Sequence, residues 1–360
     1  MLLAPLHPAP RTIDDLLDPG LCASLDRLDV HSRRVFAGTL PGQRRSKRRG
    51  KSVEFDDFRQ YTAGDDLRHI DWNVFARLDR LILKLFRAEE DLCLFLAVDL
   101  SPSMLSGTPG YSPPSGSPFA DSAHKMLYAA RLAMALGYLG LVNQNRVSIA
   151  TFGIGEDAIA DSIPAPMSDT SAAAARRESG VRVLAPTRGR AGIHRVSEFL
   201  LSQLAIAGRT TTPARRPPDL NAAFTTLARG RQGRGVMLVL SDFLTSATPT
   251  LGLDALAAGA AQSFDVTCIQ LLTDAELDPS KAAELGFSGD LALQPVEGGS
   301  EAEVTVAPPT INEYRRRLRA SIDGLHAACS ARGLAHVLMP TSTPVSDVLL
   351  RELRRRGTVA

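Results

Sequence analysis

Aromatic residues are scarce in this sequence: 13 Phe, 5 Tyr and one Trp in 360 positions. That leaves Trp72 as the one indole, a residue type that more often plugs a core or an inter-domain seam than forms a ligand platform. Cysteine is scarce too. Cys22, Cys93, Cys268 and Cys329 are widely scattered with no C-x-x-C pair, which excludes a disulfide framework or a zinc knuckle and leaves small packing residues. No run reaches the roughly 18 uninterrupted apolar residues needed to span a bilayer, and the opening MLLAPLHPAPRTIDDLLDPG lacks a basic start followed by an apolar core. The expectation is a cytoplasmic protein with no membrane span. An excess of one charge is also missing: Lys and Arg number 41 against 39 Asp and Glu, which argues against a chain whose main work is coating nucleic acid. The histidines, including His124, His194, His326 and His336, show no H-E-x-x-H or other metal spacing. What is present, 44% hydrophobic residues, is enough to bury the core of one large domain or two.

The pattern changes near residue 90. Before it come a short helical piece with Leu16, Leu17, Leu21 and Leu25, a basic loop, polar turns and LILKLFR (Leu81 to Arg87). Acidic Glu89, Glu90 and Asp91 then lead into LCLFLAV, which reads as two strands joined through a charged turn. The expected division is a smaller N-terminal extension over 1–90, hairpin-like at its end, and a larger domain over 91–360. In the latter, RVSIATF, VMLVL, VTCIQLL and LAHVLM alternate with helical stretches, which predicts an α/β, doubly wound, mostly parallel sheet of Rossmann type. Ile193, Val196, Leu200 and Leu204 share one helix face, as do Leu220, Ala223, Phe224 and Leu227. TINE predicts a capping box at Thr310 and Glu313, and TPVSD a last helix with Pro344 in its first turn, ending near Gly357. Two insertions interrupt the order: a Pro/Gly/Ser-rich loop over about 106–122, and short strands over about 276–308.

The stretch LFLAVDLSPSM turns from a buried strand to Asp99, Ser101 and Ser103. Asp242, in VLSDFL, ends another core strand, and in the common order the first and fourth strands are neighbours. In open α/β sheets, ligands sit beyond such carboxyl ends. Carboxylates and hydroxyls without histidine or thiolate suit a hard cation, Mg²⁺ in particular. The bland reading is a strand-end turn whose serines cap the next helix.

D-x-S-x-S after an apolar strand resembles the metal-ion-dependent adhesion site of von Willebrand factor A-type domains. The resemblance implies Ser101 and Ser103 as direct Mg²⁺ ligands, Asp99 and Asp242 acting through water, and a partner's carboxylate completing the octahedron. The family's threonine ligand would fall on Pro218, which offers no donor. Thr212, with Thr210 or Thr211 beside it, or Asp219 could serve instead, although Asp219 also reads as a helix N-cap.

Two further stretches carry charge. In RRSKRRGKS the Gly50-Lys51-Ser52 end lacks the first glycine of a phosphate loop and any preceding apolar strand. Arg44 to Lys51 has the charge of a nucleic-acid patch without interleaved aromatics. Arg48 and Lys51 suit an acidic partner surface better. In EFDDFRQYTAGDDLRHIDWNVFARLDRL, Arg68, Asp71, Trp72 and Arg77 read as structural or partner contacts. Asp71 and His69 lack the nucleophile a triad would need.

The run KSVEFDDFRQYTAGDDLRHIDWNVFAR followed by DLSPSM resembles domain-of-unknown-function family fifty-eight. Its motifs are matched by Glu54-Phe55, Arg59, Tyr61, Gly64 to Asp66, Arg68 to Trp72 and Ala76-Arg77, with SDF, DAELDP and LLRELRRRG later. The resemblance covers the chain from about Arg33 onward. It implies a von Willebrand A-like domain with an N-terminal extension, associated with a MoxR-type AAA+ ATPase. The function implied is a non-enzymatic adaptor presenting its sheet edge to that ATPase or a client protein, in protein assembly or maturation. A metal-assisted phosphohydrolase is the alternative, but it would need a general base or second metal that the sequence does not obviously supply. Nucleic-acid binding through Arg44 to Lys51 is the second alternative.

Overall fold

The computed structural model describes residues 10–26, 28, 54–62, 70–87, 92–105, 124–154, 180–208, 220–229, 234–244, 252–260, 264–280, 289–293 and 302–353. Its contacts form two units, Val35–Asp91 and the remainder, Met1–Arg34 with Leu92–Ala360. The division differs from an extension over 1–90, and the reason is apolar. Helix α1 (Pro19–Leu25) and its flanks bury Leu16, Leu17, Leu25 and Leu28 in the larger unit's core. Polar ties reinforce this: Arg131 Nε donates to the Asp15 carbonyl and Tyr138 Oη to Asp26 Oδ1, each at 2.8 Å.

The smaller unit pairs β1 (Glu54–Gln60) with β2 (Ile82–Arg87) antiparallel. Between them, α2 (Trp72–Leu78) starts where Asp71 accepts from the Asn73 and Val74 amides at 3.0 and 3.2 Å, an N-cap that satisfies donors the first turn leaves open. It stops at Asp79, whose φ of 49° is left-handed. LILKLFR therefore pairs with EFDDFRQ and not with LCLFLAV, which belongs to a separate sheet.

In the larger unit, β3 (Leu92–Asp99) leads to α3 (Lys125–Val142), β4 (Arg146–Phe152), β5 (Arg182–Thr187), α4 (Gly192–Ala207), α5 (Leu220–Arg229) and β6 (Arg234–Ser241). Then come α6 (Leu253–Ala260), β7 (Phe264–Leu272), α7 (Asp274–Leu277), β8 (Gly289–Leu293), β9 (Ala302–Val306), α8 (Pro308–Ala331) and β10 (Ala335–Pro340). The six-stranded sheet has the order β10-β7-β6-β3-β4-β5, parallel except for the β4–β5 pair. The doubly wound α/β expectation holds, and the first and fourth of these strands are neighbours. Both faces are covered, which is why the strands are continuously apolar. Leu94, Leu96 and Val98 of β3 join the α3 side, while Cys93, Phe95 and Ala97 join the side of α5, α6 and α8.

Several local expectations change. The edge strand β5 was not foreseen, because Arg182, Pro186 and its half-exposed residues hide the pattern. The expected short inserted strands are present as β8 and β9, which pair antiparallel with each other. The predicted box at Thr310 is displaced: Pro308 and Pro309 open α8 after the N-cap Ala307, and Thr310 Oγ1 donates to the Thr305 carbonyl at 3.0 Å. Pro344 is the N-cap of Val345–Asp347, just outside the first turn. Helix α3 is long and apolar enough by composition to cross a membrane, yet here it is the main core helix, mostly buried. The expected loop at 106–122 and the chain end near Gly357 lie outside the described residues.

Candidate functional site

The parallel strands β3 and β6 run in register, Val98 opposite Leu240, so Asp99 and the Ser241–Asp242 pair finish at the same carboxyl edge. Asp99 organises that edge. Its Oδ1 accepts the Ser101 amide at 2.8 Å, closing a turn of the kind aspartate favours, and its Oδ2 accepts the Ser241 hydroxyl at 2.6 Å. Ser241 Oγ in turn accepts the Phe243 amide at 3.0 Å, in a turn that holds Phe243 at φ 52°. The hydroxyls of Ser101 and Ser103 lie 3.0 Å apart and bond each other. Gly153, after β4, has φ +86°, and a Cβ there would come within 2.6 Å of Asp99 Oδ1 and 2.8 Å of the Ser101 amide. Only glycine meets both demands.

A lysine completes the network. Lys125, the first residue of α3, is 0% exposed. Its Nζ donates to Asp242 Oδ2 at 2.8 Å and to Glu276 Oε1 at 2.6 Å. Asp242 Oδ1 accepts the Leu244 amide at 3.1 Å, and its carbonyl accepts from Gln270 Nε2 at 3.0 Å. Gln270 Oε1 meets His336 Nε2 at 3.2 Å. Glu276 is held by a capping box on α7: its Oε2 accepts from the Thr273 amide and hydroxyl, while Thr273 Oγ1 accepts the Glu276 amide. A cation in the first turn of a helix opposes the helix dipole, so the two carboxylates hold Lys125 there against that field.

The electrostatics follow from burial. Burial pushes the Asp99 carboxyl up to about 7, with the negative charge of Asp242 adding to it and the Ser241 and Ser101 hydrogen bonds opposing. For Lys125, burial pulls toward the neutral amine, but the charges and hydrogen bonds of Asp242 and Glu276 outweigh it and hold the group above its ordinary value. The site therefore contains a permanent ammonium.

It is also closed. Ser101 is 2% exposed, Ser103 6% and Asp242 2%. Asp99, Ser101 and Ser103 come together as the sequence implied, and Asp242 is close enough to raise the Asp99 titration. Mg²⁺ fits this arrangement poorly. Each oxygen of Asp99 and of Asp242 already accepts a hydrogen bond, one of the latter from a fixed cation, and among the expected ligands that are described only the two neutral hydroxyls remain. Among the described residues, no three or more His, Cys, Asp or Glu side chains are grouped to hold a metal. Thr212, Pro218 and Asp219 lie outside the described residues.

The expected partner contacts divide. Asp71 is buried and spent on the α2 cap. Trp72 is 59% exposed, so it plugs no core, and Arg77 is exposed beside it. Arg48, Lys51 and Arg68 lie outside the described residues. An open groove of about 520 Å³ runs along α8, lined by Asn312, Arg315, Arg316, Arg319, Ala320 and Asp323, and includes none of the strand-end residues. Sequence reasoning missed Lys125, Glu276, Ser241 and Gly153. Lys125 heads KMLYAARLAMALGYLGLV, which is apolar apart from it and Arg131 but gives no sign of which way the lysine turns, whereas Glu276 carried a local signal in the T-x-x-E spacing of TDAE.

The family model described as Protein of unknown function DUF58 matches residues 57–323. Among curated proteins, Uncharacterized protein Rv1480 of Mycobacterium tuberculosis and Uncharacterized protein Mb1516 of Mycobacterium bovis are each 27% identical over 361 residues, covering 99% of this chain and 97% of theirs. Among solved structures, the conserved hypothetical protein BatB from Bacteroides thetaiotaomicron aligns over 69% of this chain and 90% of that one, at 13% identity and a TM-score of 0.33.

Proposed function

Since this chain belongs to the family described as Protein of unknown function DUF58, we propose that it is a non-catalytic interaction module working with a MoxR-type AAA+ ATPase in protein assembly or maturation. The observation that carries the reading is the exposed apolar stripe of α2. Trp72 and Leu78 are 59% and 63% exposed, and Phe75 stands between them at i, i+3 spacing with its ring edge-on to Trp72 at 6.1 Å. Large apolar side chains left in water together mark interaction sites, and tryptophan leads the residues that anchor them. Arg77 supplies a charge beside the stripe for an acidic partner surface.

The strand-end network supports a module that binds without turning over a substrate. A hydrolase working through Ser101 or Ser103 would aim a base at the hydroxyl. Here the two hydroxyls bond each other, while His124 Nδ1 meets the Leu105 carbonyl and His336 meets Gln270. The test is binding of the purified chain to a MoxR-type ATPase from the same genome, measured by calorimetry. Trp72→Ala should weaken binding at least about tenfold while leaving the circular dichroism spectrum unchanged, because the side chain is exposed. Unaltered affinity in Trp72→Ala and Leu78→Ala together would refute the assignment of α2 as the docking face.

A further inference from the structure

The sequence pattern implies a divalent cation at the ends of β3 and β6, yet the structure puts a protein cation there. We propose that Lys125 is the resident cation of the strand-end site, a fixed ammonium in place of a divalent metal, so that this chain keeps the acidic edge of its sheet assembled without Mg²⁺. The inference stands apart from the docking role of α2 and holds whatever the partner is.

Three observations carry it. First, Lys125 is fully buried and reaches the carboxylate at the end of β6 directly, at 2.8 Å. Second, that contact is built: Glu276 takes a second ammonium proton at 2.6 Å, and the Thr273 capping box fixes the glutamate's other oxygen. A lysine merely tolerated in a core would not meet two carboxylates, each separately oriented by backbone amides. Third, every oxygen of the two aspartates beside the serine pair already accepts a hydrogen bond, and one of those bonds comes from the ammonium itself. Asp99 bonds the Ser101 amide and the Ser241 hydroxyl, and Asp242 bonds the Leu244 amide and Lys125. A divalent ion on the serine pair would share Asp242 with an ammonium, and the two cations would repel each other in a medium of low dielectric.

The ammonium does what a metal would do for the fold. It ties the first turn of α3 to the end of β6 and to the short helix α7, three segments far apart in sequence. Unlike a metal, it offers no open coordination position to an incoming carboxylate. Sequence reading alone would credit the D-x-S-x-S pattern with metal dependence, because the lysine that replaces the ion lies on a different element.

The experiment is a Mn²⁺ titration of the purified full chain, followed by the electron paramagnetic resonance signal of free Mn²⁺. Wild type should show no binding tighter than about 1 mM. Lys125→Met frees Asp242 and Glu276 and should bind Mn²⁺ at least about tenfold more tightly, with the gain lost when Ser101→Ala and Ser103→Ala are added. Should Lys125→Met fail to fold, Lys125→Met combined with Glu276→Gln strands a single carboxylate, keeps the Thr273 cap and should show the same gain. Wild-type binding below about 100 μM that Ser101→Ala and Ser103→Ala abolish would overturn the proposal. So would lysine variants that fold and gain no Mn²⁺ affinity, for then Lys125 stands in for no metal.

Discussion

Replacing Lys125 by Met keeps most of the apolar stem of the side chain and removes the ammonium with its charge and both of its hydrogen bonds, leaving the Asp242 and Glu276 carboxylates with no cation between them. Their side chains are 3% and 12% exposed. Removing one partner of a buried ion pair costs about 3–5 kcal/mol, because the remaining charge is stranded. Proton uptake sets a ceiling on that cost. A stranded carboxylate can protonate instead, which at pH 7 costs an ordinary aspartate about 4 kcal/mol and at pH 5 about 1.5 kcal/mol. Both carboxylates also keep their backbone partners, the Leu244 and Thr273 amides. The expected loss is therefore about 3–4 kcal/mol at pH 7, shrinking to about 1–1.5 kcal/mol at pH 5, a large share of the 5–15 kcal/mol typical of a domain. Urea unfolding followed by circular dichroism at both pH values reads it directly. Adding Asp242→Asn and Glu276→Gln should restore most of the loss, since a neutral, well-packed replacement of a buried ion pair is often no less stable. A Lys125→Met midpoint within about 1 kcal/mol of wild type, or a deficit equal at the two pH values, would refute the buried-cation reasoning.

Asp99 gives a second test, because its folded-state carboxyl titrates near 7 while an unfolded aspartate titrates near 3.9. The folded chain then holds a proton the unfolded chain has released, so this group's contribution is fully present below about pH 4, falls as pH rises to about 7 and is flat above. Asp99→Asn, which mimics the protonated form, should gain on wild type across that window in paired urea titrations, and a constant difference from pH 4 to pH 8 would contradict the assignment. Gly153→Ala should destabilise by about 2 kcal/mol or more, since it meets both a left-handed φ and a 2.6 Å approach to Asp99 Oδ1; an unchanged urea midpoint would mean the strand ends can spread. Glu276→Gln alone keeps the Thr273 cap and leaves Lys125 with Asp242, so its cost should be about 1–2 kcal/mol, clearly less than that of Lys125→Met; equal costs would show that Asp242 is not the principal partner.

The sheet was legible because its strands are buried on both faces and read as unbroken apolar runs bounded by polar turns. Strand β5 was not, since an edge strand with Arg182 and Pro186 carries neither alternation nor a continuous run. Asp99, Ser101 and Ser103 could be read because they stand at alternate positions of one five-residue stretch, and Asp242 because it repeats the strand-end aspartate. Lys125 and Glu276 were hidden by distance. Their meeting spans 151 positions, and nothing in HKMLY distinguishes a lysine that turns inward from one that reaches solvent. The same limit applied to Trp72, where residue type favoured burial and the short helix between β1 and β2 left it exposed. Leu16 and Leu17 gave a helical pattern but no sign of which unit they join, because that depends on the apolar face α3 offers them.

Chelator dependence bears most directly on the claim that this chain is a docking module whose strand-end cation is its own lysine. The measurement is affinity capture of a MoxR-type AAA+ ATPase on wild type and on Ser101→Ala/Ser103→Ala, each with and without EDTA, with Trp72→Ala as the control for the α2 face. Equal recovery by the first two proteins, with and without EDTA, and loss with Trp72→Ala is the predicted result. Recovery that EDTA and the serine changes both abolish, while Trp72→Ala leaves it intact, would contradict it.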